Sequence, residues 1–228
     1  MRKPVVDYRQ LRPGNITSPQ YRHLLLLGGW LVYFTLYFLT ENLIPAEKCY
    51  PVWCILDDYI PFNEWFVIPY VGWYVLIVWS LLYFLCYNVE NFKGLQTYII
   101  VTQAIAMACY IIFPTRQDLR PEMFERENIL TGIMGIIYAG DTNTGICPSL
   151  HVAYSLGIAS TWLKEKQASK WTKAFVLVFV TLVCLSVAFT KQHSVVDIFA
   201  AIPVCMVAEW IAFYKRYWLP KKLSKKVK

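Results

Sequence analysis

Charge is scarce in this sequence. Only 16% of its 228 residues are Asp, Glu, Lys or Arg, against about 25% in soluble domains, whereas 57% are hydrophobic and 17% aromatic. That shortage excludes an ordinary soluble domain. Histidine is rarer still, with three residues, and two of them, His151 and His193, lie at the edges of long apolar runs. The seven cysteines show no paired metal-site spacing. No repeat, low-complexity segment or linker divides the chain, so 1–228 reads as one integral membrane domain.

A transmembrane helix needs about 20 apolar residues. Six stretches qualify, 24–44, 65–87, 95–113, 146–163, 174–190 and 194–213, which predicts an all-α polytopic bundle. The first run exceeds the length of a signal-peptide core and ends in Thr40-Glu41-Asn42 with no small-residue cleavage site, so it is expected to stay as a helix. If six helices alternate, 17 of the 22 Lys and Arg fall on one side, in the basic segments 1–23 and 215–228 and in the connections at Lys93 and 164–173. The positive-inside rule then makes both termini cytoplasmic, and the plasma (inner) membrane is the expected location. The net charge of +7 follows from this topology and from attraction to anionic lipid, and lends nothing to a nucleic-acid partner. Asn15-Ile16-Thr17 matches a glycosylation acceptor, but this orientation leaves it cytoplasmic and without meaning.

Two outer connections stand out. The first, 42–64, is rich in Trp, Tyr and Pro and is expected to lie along the membrane interface; its Cys49 and Cys54 are free to pair in an oxidising compartment, or not. The second, 114–145, is long and polar, and unstructured connections of that length are usually functional or disordered. Its apolar stretch 129–138 is expected to form a short helix.

Three polar clusters meet at that outer face. His193 and Asp197 stand four residues apart, so on a helix they share one face, and the carboxylate can fix the imidazole tautomer and free the other nitrogen for attack. A bland reading is a His-Asp pair that stabilises a helix end. Pro148-Ser149-Leu150-His151 opens an apolar helix, whose N-terminal amides favour phosphate, with Ser149 as a hydroxyl donor or simply a cap. Arg116, Arg120 and Lys191 supply cations suited to phosphate oxygens, although a loop Arg is more often just solvated. Asp141 and Asn143 are candidates to line the pocket, although a polar turn ahead of a helix is the commoner explanation.

Arg120-Pro121, Pro148-Ser149-Leu150-His151 and His193 to Asp197 together resemble, in order and spacing, the three signature motifs of the type-2 phosphatidic acid phosphatase superfamily. The resemblance implies metal-independent phosphoryl transfer with no cofactor. His193 would be the nucleophile that becomes a phosphohistidine, Asp197 its orienting partner and His151 the proton donor to the leaving lipid oxygen. Arg120, Lys191, Ser149 and Arg116 would hold the phosphate. The pattern departs from the family at Phe113, where Lys is usual, at Ser186-Val187, where Ser-Arg is usual, and at Leu150, where Gly is usual. Arg116 and Lys191 stand in as substitute cations. The Pro-Ser-Leu-His form resembles the branch of inositol phosphorylceramide synthase and sphingomyelin-synthase relatives.

The leading expectation is a phosphatase acting on a lipid phosphate monoester or diphosphate at the extracytoplasmic face. Transfer of a phosphate-bearing head group to a lipid hydroxyl is the alternative. A transporter, with the same residues as an ion path, and a catalytically dead scaffold are the non-enzymatic readings.

Overall fold

In the computed structural model, residues 3–226 are described, and helices dominate. A 3-10 turn, Arg22–Leu27, leads into α1 (Gly28–Leu43); then come the five-residue α2 (Ile55–Tyr59), α3 (Val67–Tyr87), α4 (Val89–Ile112), α5 (Ile129–Gly140), α6 (Leu150–Lys164), α7 (Lys170–Phe189), α8 (Val195–Phe213) and α9 (Leu219–Lys226). Two minimal strands, β1 (Tyr50–Pro51) and β2 (Thr115–Arg116), pair in parallel and tie the two long connections together.

Five helical segments are long and apolar enough to cross a membrane: Arg22–Leu43, Glu64–Tyr87, Val89–Ile112, Lys170–Phe189 and Val195–Ser224. Large apolar side chains such as Leu31, Val32, Phe38, Val75, Phe199 and Met206 point outward. A surface of that kind marks a protein whose solvent is lipid. The chain is an integral membrane helix bundle.

The expected span 146–163 takes another form. α6 has 15 residues and rises about 22 Å, short of the ~30 Å hydrocarbon core. Pro148 disfavours helical backbone in the residue before it, and Ser149 is the N-cap, so the apolar residues upstream cannot join the helix. α6 is instead enclosed by α3, α4, α7 and α8. A helix surrounded by protein needs no bilayer length. In α4 the reverse occurs: Asn88 accepts the Asn91 amide at 3.1 Å and starts the helix before its apolar run, so hydropathy hides the polar first turn.

Close backbone approach holds α6 in the centre. A Cβ on Gly157 would lie 2.5 Å from the Tyr98 ring of α4. Gly157→Leu should therefore overpack this contact and cost about 1–3 kcal/mol. The expected readout is a lower melting temperature in detergent; an unchanged melting temperature would contradict the close packing of α4 on α6.

The helix directions collect the C-termini of α1, α4 and α7 and the N-termini of α3, α6 and α8 at one end. There the Asn63 amide donates to Phe189 O at 3.0 Å, and the Tyr110 hydroxyl to Pro148 O at 2.7 Å. At the opposite end the Val5 amide donates to Cys86 O, Asn88 and Asn91 donate to Glu165 at 2.7 and 2.9 Å, and Lys164 pairs with Glu209 at 2.7 Å. Cys49 and Cys54 do not form a disulfide. Both are free thiols: Cys49 is buried with Sγ toward Pro45 O, and Cys54 is the N-cap of α2.

Candidate active site

The loop between α7 and α8 is built from two helix ends in immediate succession. α7 closes in a Schellman turn: the Lys191 amide donates to Ala188 O at 3.1 Å and the Gln192 amide to Val187 O at 3.0 Å. Lys191 itself sits at φ 55°, the left-handed position where Gly is favoured. α8 opens three residues later with a capping box, Ser194 Oγ accepting the Val196 amide at 3.1 Å and Asp197 Oδ2 accepting the Ser194 amide at 3.0 Å.

His193 is held between these ends. Its Nδ1 lies 3.2 Å from Asp197 Oδ2, and Asp197 is fully buried. The expected pair is present by a different route: His193 precedes the N-cap, outside the helix, and meets Asp197 because the capping box folds the chain back. One carboxylate oxygen serves both the cap and the imidazole. It favours the proton on Nδ1 and leaves Nε2 as the nucleophilic nitrogen.

His151, in the first turn of α6, faces His193 with ring centroids 5.6 Å apart. Tyr70 stacks on it at 4.7 Å and Trp73 at 4.1 Å, which fixes the ring plane. Its Nε2 is buried and has no hydrogen-bond partner among the described residues. Such an atom carries a desolvation cost that a ligand or substrate group would relieve. The Ser149 amide donates to Asp197 O at 3.2 Å, so the start of α6 is joined directly to the start of α8.

The expected phosphate ligands are placed differently. Ser149 is fully buried as the N-cap of α6, accepting the Val152 amide at 3.4 Å. Arg120 uses NH1 and NH2 on Tyr138 O, Asp141 O, Thr142 O and Gln192 Oε1, at 2.7–3.2 Å, and its guanidinium lies over the Tyr138 ring. It clamps the end of α5 to the residue before His193. Arg116 donates to Asp118 and to Ala46 O. Lys191 Nζ donates to Asp57 O at 2.8 Å; burial pulls its ammonium below the usual lysine range, with the Asp57 and Asp58 carboxylates opposing the shift. All three cations spend donors on protein oxygens.

In front of the two imidazoles opens a cavity of about 680 Å³. Its upper wall is polar, with Asp141, Thr142, Thr144 and Gln192 beside His151 and His193. Below, it runs between α1 and α3 along Trp30, Tyr33, Phe34, Tyr74, Val78 and Leu81. From Tyr70 to Leu81 the α3 wall descends about 16 Å, close to half of the ~30 Å hydrocarbon core. α1 packs chiefly on α4, and the flank between α1 and α3 carries exposed Phe34, Tyr74 and Val78.

Of the residues that shape this mouth, sequence reasoning weighed Asp141 as a pocket residue and missed the others. Gln192 passes unnoticed beside its histidine. Glu41 accepts from Thr142 and Thr144, and Asp141 accepts the Tyr37 hydroxyl at 2.8 Å. The polar turn 141–145 was the available signal for them. Asp57 left no signal of its own in a connection with several carboxylates.

An imidazole oriented by a carboxylate, facing a second imidazole with an unsatisfied nitrogen, can pair a nucleophile with an acid or base across one reacting group. Nowhere among the described residues do three or more His, Cys, Asp or Glu converge in a metal-binding group. Compared with protein families, curated proteins and solved structures, the chain matches none.

Proposed function

We propose that this membrane protein is a phosphoryl-transfer enzyme acting on lipid phosphates, of the type-2 phosphatidic acid phosphatase kind, with a phosphohistidine formed at His193. The observation that carries the reading is the His193–Asp197 pair facing His151 at the head of an apolar cavity about one leaflet deep. Such a cavity suits a lipid tail, and its flank between α1 and α3 gives the tail a sideways route from the bilayer.

His193 Nε2 attacks phosphorus, and the bond from phosphorus to the lipid oxygen breaks. The leaving oxygen takes a proton from His151 Nε2. In the second step water attacks the phosphohistidine, gives its proton to His151, and releases inorganic phosphate from His193. Asp197 keeps the Nδ1 proton in place throughout and stabilises the positive ring. Arg120 holds Gln192, and with it the loop, while its positive charge lies behind the developing phosphate charge.

With α6 counted as the sixth helix and the basic connections on the cytoplasmic side, the site faces the extracytoplasmic side of the plasma (inner) membrane. Phosphatidic acid, phosphatidylglycerophosphate and polyprenyl diphosphate are the substrate classes for hydrolysis. Head-group transfer to a lipid hydroxyl is the second reading. Its support is the commitment of Arg116, Arg120 and Lys191 to protein oxygens, because a phosphodiester with one negative charge needs fewer free cations than a monoester or diphosphate.

Purified protein in detergent and EDTA should release phosphate from at least one of these three lipids, and His193→Ala should not. Transfer only upon addition of an acceptor lipid would select the second reading. Silence in both assays would sink the enzyme and leave transport or binding.

A further inference from the structure

The first outer connection reaches into the site from more than 130 positions away. α2 places Asp57 against the start of α8, where it is 3% exposed. Asp57 Oδ2 accepts the Ser194 hydroxyl at 2.6 Å, and Oδ1 accepts the Val195 amide at 2.8 Å. The same Oδ2 also accepts the Cys54 amide at 2.9 Å, which closes α2's own capping box. The Asp57 carbonyl receives Lys191 Nζ at 2.8 Å. One residue therefore grips the loop on both sides of His193, at Lys191 before it and at Ser194 and Val195 after it.

This arrangement divides labour between two carboxylates. The N-terminus of α8 presents amide and hydroxyl donors and the positive end of a helix dipole, all of which favour carboxylate oxygens. Asp57 absorbs the Ser194 hydroxyl and the Val195 amide. Asp197 Oδ2 is left with the Ser194 amide and His193 Nδ1, while Oδ1 is buried without a hydrogen-bond partner among the described residues. Without Asp57 the orphaned donors would turn to Asp197, whose Oδ1 is unpartnered, and rotate that carboxylate away from the imidazole held on Oδ2. Asp57 touches neither the cavity nor His193. The neighbouring Asp58 is exposed and, among the described residues, accepts a hydrogen bond only from Trp53 Nε1, at 2.9 Å.

We infer that Asp57 is a positioning residue for the His193–Asp197 pair, and that Lys191 is the second strut of the same brace. The inference deepens the phosphoryl-transfer reading and rests on it for its effect on turnover; its effect on the imidazole stands alone.

The test uses full-length protein with labelled histidine, compared as wild type, Asp57→Asn, Lys191→Met and Asp58→Asn. The chain has three histidines, so the His193 Nδ1–H resonance is assigned by its loss in His193→Gln. In Asp57→Asn that resonance should shift upfield or vanish through exchange, and kcat should fall about 10- to 100-fold with KM within about twofold, as expected for a nucleophile misplaced by a fraction of an ångström. Lys191→Met should move both readouts in the same direction by less, and Asp58→Asn, which removes a charge near Lys191 but no hydrogen bond to the loop, by less still. An unchanged resonance and kcat in folded Asp57→Asn would overturn the inference. If Asp57→Asn does not fold, Lys191→Met decides: a fall in kcat with the resonance shift supports the brace, whereas a rise in KM alone makes Lys191 a phosphate ligand and overturns it. If the wild type turns over no lipid phosphate, the functional reading falls and the resonance still judges Asp57.

Discussion

His193→Ala is expected to lower turnover of the lipid phosphate by at least about 10³-fold, and by as much as 10⁶-fold if background reaction in the cavity is slow, because loss of a nucleophile removes the covalent route itself. No neighbouring group replaces it. The imidazole of His151 belongs to α6 and is wedged between Tyr70, on which it stacks, and the tilted ring of Trp73, which hold it away from the vacated place. The fold should survive, since the capping box of Ser194 and Asp197 does not involve the imidazole. Folded His193→Ala with turnover within tenfold of wild type would remove His193 from the chemistry. A KM effect without a kcat effect would make it a binding group instead.

The second large effect belongs to His151. His151→Phe preserves the aromatic stack on Tyr70 and Trp73 and deletes only the nitrogens, so its effect reports proton transfer with little disturbance of packing. General acid–base catalysis typically contributes about 10²- to 10⁴-fold, and kcat on a lipid substrate should drop by that amount. Two further signs separate this role from a structural one. Aryl phosphates, whose leaving groups need no proton, should lose much less in the first step. The phosphohistidine should then accumulate, because hydrolysis of the intermediate lacks its base. Equal loss on alkyl and aryl substrates, with no accumulation, would assign His151 to substrate binding.

Much of the fold is legible in the sequence because lipid demands long apolar runs. α1, α3, α4, α7 and α8 follow directly from theirs. α6 does not, since a helix enclosed by other helices is free of the bilayer's length requirement and Pro148 fixes its start. In the candidate site, the pairing of His193 with Asp197 is visible as a spacing of four, yet the contact is made by a capping box and not by a helix face. The cations show the limit of residue type as a guide. Arg116, Arg120 and Lys191 read as phosphate ligands by residue type, and in the structure backbone carbonyls and side-chain oxygens of the surrounding loops take some of their donors, while Arg120 Nε stays without a partner among the described residues. Carbonyl positions carry no signature in sequence. Asp57 is hidden for a related reason: its partners Ser194 and Val195 offer a hydroxyl and an amide that any N-terminal turn of a helix would offer.

The electrostatics of the mouth bear on how much charge the substrate's phosphate carries. Glu41 and Asp141 stand near the polar wall, tied to Thr142, Thr144 and Tyr37, while the cations are engaged behind it. A highly charged diphosphate would face Asp141 on that wall, with Glu41 behind Thr142 and Thr144. The order of expected preference is therefore diester or monoester ahead of diphosphate, and competition between the lipid classes in one vesicle preparation measures it directly. Preference for the polyprenyl diphosphate would show that the loop cations rearrange when substrate binds.

The most direct measurement is a rapid-quench experiment with lipid substrate labelled at the phosphate. Wild-type protein should carry label that is stable in base and labile in acid, located on the peptide containing His193, formed no more slowly than turnover and absent from His193→Ala. Turnover without labelled protein at any time, or label on another residue, would contradict the phosphohistidine mechanism.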